Sequence, residues 1–320
     1  MVGDKKLDVV CMGEILVDMI PGEQNASSGR VFYGCFGGAP FNAAVGLAKL
    51  GRRVGAIACV GSDPFGEFLL ETLRAHGIGC EQVKVKRART TLAFVVPSGG
   101  ENAFFFYRLP WAQTADTMLE ARDLDEDYLR SAKVLHTSGV ALSCEPLRSS
   151  LLRAMHVVRD SGGLVSFDAN VRPDLWGSAD EIKSIYDKAL ELSDVLMLAQ
   201  DEVRALFRAE PDEAHDLIRA RYGTRYVAVR MGARGALVVG DGERVFAEAF
   251  KVEVVDTVGA GDAWAAAFIH GILEGWDLKR TTKVANAFAA LKCTGRGAIS
   301  SLPSRDELNR FLELHGIEPF

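Results

Sequence analysis

The sequence predicts an α/β protein with a mainly parallel central sheet, helices on both faces and a small β lid, and three observations predict it. Short β-type runs alternate with helical patterns through most of the chain, as successive βα units require. The alternation is broken twice, at Ile20 to Phe36 and at Val83 to Arg108, by stretches without helical period that read as strands outside the main sheet. No repeat, low-complexity tract or linker divides the 320 residues, so a single domain is expected, with the lid inserted at about 19–36 and 83–109.

In chain order, Leu7 to Met12 reads as the first strand. Asn42 to Leu50 is a small-residue helix ended by Gly51, and Arg53 to Val60 is the next strand. Phe65 to His76 is amphipathic, with Phe65, Phe68, Leu69, Leu73 and His76 near helical spacing, and it stops at Gly77. The period then changes. Thr90 to Val96 and Ala103 to Tyr107 flank the turn cluster Ser98-Gly99-Gly100-Glu101, which predicts a β-hairpin in the lid. Beyond it the alternation resumes, with strands at Val134 to Thr137, Gly163 to Asp168, Val195 to Leu198 and Tyr226 to Arg230. The helices between and after them are Glu145 to Ser161, Ala179 to Leu192, Asp201 to Phe207 and Asp212 to Tyr222. Ala236 to Val239 and Arg244 to Ala247 flank Gly240-Asp241-Gly242-Glu243 as a second hairpin, and two long helices, about Gly261 to Leu273 and Leu278 to Thr294, close the chain.

Composition narrows the function. A hydrophobic fraction of 48% with 25% charged residues is that of an ordinary soluble domain. The net charge of −6, without a basic stripe, argues against a nucleic-acid partner. The densest basic run, Lys84 to Arg89, reads as a solvated strand edge kept from pairing by its charge. Six cysteines, none in a C-x-x-C pair or a Cys/His cluster, read as reduced and mostly buried thiols. No apolar run approaches membrane-spanning length, and a cytoplasmic protein without a membrane partner is expected.

Two segments carry chemistry. Asp256-Thr257-Val258-Gly259-Ala260-Gly261-Asp262 is a small-residue turn that opens an apolar helix and ends in an acid. Such a turn aims free N–H groups at one point, where they can hold charge developing on a phosphate, while the carboxylate accepts a proton. Taken alone, Asp at a helix start and Gly in a turn also have an ordinary structural account. The same holds for Gly37-Gly38-Ala39-Pro40-Phe41-Asn42, where glycines would admit a ligand to the backbone and Asn42 offers both a donor and an acceptor to a polyol. In open α/β sheets ligands sit beyond the carboxyl ends of strands. That rule adds Asp18, Asp168-Ala169-Asn170-Val171-Arg172 and Met231-Gly232 for inspection.

Both segments resemble the signatures of the ribokinase-like carbohydrate kinases, a family that includes ribokinase, fructokinase and 2-keto-3-deoxygluconate kinase. The resemblance runs from Asp18 to about Gly297-Ala298-Ile299. It implies the ribokinase-like three-layer α/β/α fold with its lid, and a kinase using ATP and Mg²⁺, with K⁺ as an open possibility beside Asp256. Asp262 is implied as the general base, with Gly259, Ala260 and Gly261 as the anion hole. Asp18, Gly38, Asn42, Phe106, Arg108, Asn170 and Arg172 are implied at the sugar, Arg230, Gly232, Gly235 and Asn286 at the nucleotide, and Glu202 and Asp256 at metal. Two positions depart from the family pattern: its Asn-x-x-Glu motif appears as Ala199-Gln200-Asp201-Glu202, and Arg230 stands where Thr or Lys is common. No G-x-x-x-x-G-K-[ST] loop is present, so the phosphates fall to the Gly259–Gly261 turn.

Gly-Gly-Ala-Pro at Gly37 to Pro40 and Arg-Pro-Asp-Leu-Trp at Arg172 to Trp176 look like fructokinases, which makes fructose, phosphorylated on its 6-hydroxyl, the expected acceptor. Arg108 and Arg172 converging on the sugar would instead suit the carboxylate of 2-keto-3-deoxygluconate. A ribose or nucleoside acceptor, or a sugar sensor without turnover, remains as a further alternative. A homodimer through the β lid is the expected assembly.

Overall fold

The computed structural model describes residues 6–22, 29–98, 101–108 and 112–320. Its strands are β1 (Leu7–Met12), β2 (Leu16–Pro21), β3 (Phe32–Gly37), β4 (Val54–Gly61), β5 (Gly79–Lys86), β6 (Leu92–Ser98), β7 (Glu101–Tyr107), β8 (Ala132–Ser138), β9 (Leu164–Asp168), β10 (Val195–Ala199), β11 (Tyr226–Arg230), β12 (Ala236–Gly240) and β13 (Glu243–Ala247). The helices are α1 (Ala39–Lys49), α2 (Pro64–Ala75), α3 (Glu126–Arg130), α4 (Leu147–Asp160), α5 (Ala179–Leu190), α6 (Gln200–Phe207), α7 (Pro211–Tyr222), α8 (Ala260–Glu274), α9 (Leu278–Cys293) and α10 (Arg305–Leu314).

A nine-stranded sheet runs in the order β13-β12-β11-β10-β9-β8-β1-β4-β5. It is parallel from β11 to β5, and the β12–β13 hairpin adds two antiparallel strands at one edge. Side chains alternate across it, as a pleated strand requires. Val9, Cys11, Ala58, Val195 and Met197 pack with α1, α2, α8, α9 and α10 on one face. Val10, Met12, Cys59, Leu196 and Leu198 pack with α3 to α7 on the other. These three layers match the sequence reading.

The second sheet, β3-β2-β6-β7, forms the lid. Its outer pairs are antiparallel, whereas β2 and β6 run parallel because they enter from separate insertions. The stretch from Val83 therefore divides: Val83 to Lys86 belongs to β5, an edge of the main sheet, and only β6 and β7 belong to the lid. Lys84 and Lys86 sit on that edge, where charge discourages further pairing. Gly99 and Gly100 of the hairpin turn, and residues 23–28 of the first lid insertion, lie outside the described residues.

One boundary and one additional helix differ from expectation for local reasons. Helix α1 starts at Ala39 rather than Asn42, because Gly38 at φ 106° can cap it and Pro40 suits its first turn. Helix α10 was not anticipated, although Ser304 and Glu307 cap each other's backbone N–H groups at its start. Among the cysteines, Cys11, Cys59 and Cys144 are buried, Cys35, Cys80 and Cys293 are half-buried, and all six are free. No helix of the described residues is long and apolar enough to cross a membrane.

Candidate active site

A cleft of about 1330 Å³ opens at the carboxyl ends of β1, β9, β10 and β11, under the lid strands β2 and β7. The helices α1 and α8 point their N-termini into it. Both are rich in small residues, and a Cβ on Gly46 of α1 would stand 2.8 Å from the Cβ of Ala266 on α8. This close approach brings together groups that are 220 residues apart in sequence: Asn42 Nδ2 donates to Asp262 Oδ2 at 2.8 Å.

Asp262 lies in the first turn of α8, whose cap residue Gly259 adopts φ 78° and offers no side-chain hydrogen bond. The leading N–H groups of the helix are thus available to an anion, and the helix dipole adds to their pull. Only glycine fits at 259, since a Cβ there would meet the Ala298 Cβ at 2.7 Å on a left-handed backbone. At 261 the backbone is fixed from behind, where Arg230 Nη1 donates to the Gly261 carbonyl at 3.0 Å. The Arg230 guanidinium also grips Asp168 with two bonds of 2.6 and 2.8 Å.

Three acids crowd one end of the cleft. Burial pushes Asp262 up to about 6, opposed by the Asn42 amide and raised again by Asp168. Burial, then the charge of Asp262, pushes Asp18 up to about 8. Glu14, lodged beneath Gly38, is pushed up to about 7 by burial, against hydrogen bonds that include Ser138 Oγ at 2.8 Å. Neighbouring carboxyls whose environments separate their proton affinities divide naturally into a base and proton holders. Asp262 is the one ionised most readily at neutral pH.

The cleft also shows what it can receive. Asn42 Oδ1 is buried and without a partner among the described residues, an acceptor facing a site where a hydroxyl would satisfy it. Phe104 and Phe106 of β7 point into the cleft while Phe105 and Tyr107 face outward, 56% and 63% exposed, following the two-residue period of the strand. Arg172 stacks over Phe104, its guanidinium carbon 5.3 Å from the ring centre, and Asn170 beside it takes the left-handed conformation at φ 38°.

A model of the pfkB family of carbohydrate kinases matches residues 6–305. The chain belongs to this family. The 5-dehydro-2-deoxygluconokinase of Clostridium tetani is 32% identical over 320 residues, spanning 97% of this chain and 94% of its own. The probable fructokinase-4 of Arabidopsis thaliana is 34% identical over 327 residues, spanning 97% of this chain and 98% of its own. Among solved structures, a fructokinase from Xylella fastidiosa with bound ATP superposes with a TM-score of 0.87 at 27% identity, covering 97% of this chain and 99% of that one. The fold is accordingly that of the ribokinase-like kinases.

In this pfkB kinase the cleft gathers most of the residues singled out from the sequence: Asp18, Gly38, Asn42, Phe106, Asn170, Arg172, Glu202, Arg230, Gly232, Gly235, Gly259 to Asp262 and Asn286. Gly235, at φ 109°, lets β12 pass so near the end of β13 that a Cβ would strike the Ala247 carbonyl oxygen at 2.0 Å. Asn286 is tied on both sides, accepting from Trp264 Nε1 at 2.8 Å and donating to the carbonyl of Ala247 at 2.9 Å. Glu202 accepts from the N–H groups of Ala199 and Val171, each at 2.7 Å, and burial raises it above the usual carboxylate range.

Two residues fall elsewhere. Arg108 is fully buried, 3.3 Å from Asp116 and donating to Cys144 Sγ at 2.9 Å, and it does not line the cleft. An arginine that neutralises a buried aspartate is held behind the site rather than in it, which corrects the expectation of two converging guanidinium groups. Asp256 also lies off the cleft lining. Its two carboxylate oxygens accept from the N–H groups of Val258 and Gly297, at 2.9 and 2.8 Å. Glu14 was not assigned from sequence, and Asp168 and Arg230 were singled out separately but not as a pair. The signal available for Glu14 was a charged residue just past an apolar strand, one position after Gly13.

Proposed function

We propose that this pfkB kinase transfers the γ-phosphoryl group of ATP to the 6-hydroxyl of fructose, with Asp262 as general base and the Gly259–Gly261 turn as anion hole. The observation that carries the reading is the placement of Asp262: a buried carboxylate in the first turn of an uncapped helix, held by Asn42, with its proton affinity near 6. A base of that strength is ionised at neutral pH and still able to take a hydroxyl proton as the bond to phosphorus forms. The turn amides and the α8 dipole stabilise the charge on the transferring group. Arg230 and Asp168 keep the Gly261 backbone in place while this happens.

Fructose is favoured over an acid sugar by Arg108. With that guanidinium committed to Asp116, Arg172 is the remaining arginine of the pair, and it shares the sugar end with Glu14, Asp18 and Asp262. Such a field suits a neutral polyol, whose vicinal hydroxyls Asp18 and the free Oδ1 of Asn42 would engage. The second reading, a 5-dehydro-2-deoxygluconate or 2-keto-3-deoxygluconate acceptor, is supported by Arg172 and by the identity to the Clostridium tetani kinase.

Among the described residues no group of three or more His, Cys, Asp or Glu could hold a metal by itself. Magnesium at phosphoryl-transfer sites is carried on one or two carboxylates together with phosphate oxygens and water. Glu202, buried on the cleft and with one backbone N–H on each oxygen, is the carboxylate that would receive it. When bound with the nucleotide, the ion neutralises phosphate charge. The nucleotide itself would lie along Gly232, Gly235 and Asn286, where positive-φ glycines bring the backbone close. The outward aromatic face of the lid, with Phe105 and Tyr107 exposed, supports a contact between two copies of the chain.

The test is ATP consumption with magnesium and, in separate reactions, fructose, 2-keto-3-deoxygluconate, 5-dehydro-2-deoxygluconate, ribose and adenosine, beside a control without acceptor. Turnover with fructose at the highest kcat/KM supports the proposal. Preference for either acid sugar overturns the fructose assignment and makes Arg172 the carboxylate ligand; silence with every acceptor favours a sensor.

A further inference from the structure

A buried cation stands behind the anion turn and has no part in the mechanism above. Lys292, near the C-terminal end of α9, is fully buried, and its Nζ donates to the backbone carbonyl of Asp256 at 2.8 Å. Among the described residues it forms no salt bridge. An ammonium is costly to bury without an anion in contact, so its retention calls for a negative field that rewards it. The field comes from the neighbouring carboxylates of Asp256 and Asp262. The carbonyl end of α9 adds to it.

Asp256 is the hinge of the loop that carries the anion hole. Its carboxylate holds Val258 N–H and Gly297 N–H, and the N–H groups of Val255 and Asp256 donate to the Cys293 carbonyl at 2.8 and 3.2 Å. Three residues further on, Gly259 packs its backbone against Ala298. The loop is therefore laced at its base to the end of α9, and the ammonium of Lys292 occupies the carbonyl at the centre of that lacing.

We propose that Lys292 is a positioning residue whose ammonium pins the Asp256–Gly261 loop in its anion-binding form, so that phosphoryl transfer by this chain draws on no monovalent cation from solution. The inference rests on the reading of that loop as the anion hole, and it gives a definite answer to the potassium question that the sequence raised beside Asp256.

The experiment uses the full chain and its Lys292→Met variant in sodium, potassium and methylammonium chloride. Binding of magnesium-ADP with aluminium fluoride, in the presence of fructose, is measured by calorimetry, and kcat and KM for fructose are measured by turnover. The unaltered protein should bind and turn over within about twofold in the three salts, whereas K292M in sodium should bind the mimic and turn over about tenfold or more weakly, with KM for fructose unchanged. Potassium or methylammonium should restore K292M, which a merely structural lysine would not allow. The proposal is overturned if potassium stimulates the unaltered protein about fivefold or more, if K292M equals it in sodium, or if the K292M defect extends to fructose KM and no cation relieves it. The salt comparison on the unaltered protein needs no variant and stands even if K292M does not fold. Absence of turnover with fructose would count against the substrate reading alone, because the ADP-fluoride comparison still reads the loop.

Discussion

Replacing Asn42 with leucine should move the pH dependence of turnover rather than simply lower it. The Asn42 amide, 95% removed from solvent, donates to Asp262 at 2.8 Å and favours the ionised form of a carboxyl that sits at about 6. A hydrogen bond to a charged group contributes about 1.5 to 3 kcal/mol, which corresponds to about 1 to 2 pK units. Because the base acts only when unprotonated, rate rises with pH through its pKa, and loss of a group that stabilises the anion shifts this limb to higher pH. A limb moved from about 6 to about 7.5 lowers the ionised fraction at pH 7 from about nine-tenths to about one-quarter, a roughly fourfold loss of kcat that disappears at about pH 9. The assay is kcat at saturating fructose and magnesium-ATP across the pH range, which removes the expected weakening of sugar binding from the reading. A loss of kcat that is the same at every pH, with the acid limb unmoved, would refute the assignment of the Asn42–Asp262 bond to tuning the base.

Asp18 is raised by burial to about 8 from an ordinary 3.8, so the folded state binds a proton that the unfolded chain has released. Stability from this group is present at acid pH and lost as pH rises towards about 8; Asp18→Asn should therefore raise the thermal midpoint at about pH 8.5 relative to its effect at about pH 5, while weakening fructose KM about tenfold or more. Arg108→Met should cost about 3 to 5 kcal/mol in urea unfolding, because it leaves Asp116 buried and unpaired, and the folded fraction should keep its KM for fructose. Arg172→Met should do the reverse, raising KM for sugar with little effect on the urea midpoint. Gly259→Ala should lower kcat about 100-fold by displacing the turn, since its Cβ would strike Ala298 on a left-handed backbone, and should leave fructose KM close to its original value.

The sequence was most informative where structure and chemistry are both local. The alternation of apolar strands and helices follows side-chain period, and the two glycine turns with Asn42 and Asp262 are each specified within a few residues. Contacts closed by tertiary packing were less legible. Arg108 looks like a sugar ligand from its neighbours, but its partner Asp116 arrives through the β6–β7 lid and the segment that follows, and only the fold shows the guanidinium turned inward. The Asp168–Arg230 grip joins two strand ends, neither of which names the other in sequence. Lys292 resembles any basic residue in the last turn of a helix until its burial is seen. Strand β5 was missed as part of the main sheet for another reason: as an edge it carries Glu81, Gln82, Lys84 and Lys86, which obscure the apolar run of a buried parallel strand.

The most direct test of the account is turnover by Asp262→Asn, compared with the unaltered protein at saturating magnesium-ATP and fructose. The amide keeps the size of the side chain and can still meet Asn42, but it cannot accept the hydroxyl proton. The account predicts that kcat falls about 100-fold or more while the thermal midpoint and the affinity for magnesium-ATP are preserved. Turnover close to that of the unaltered protein would contradict the assignment of Asp262 as the base.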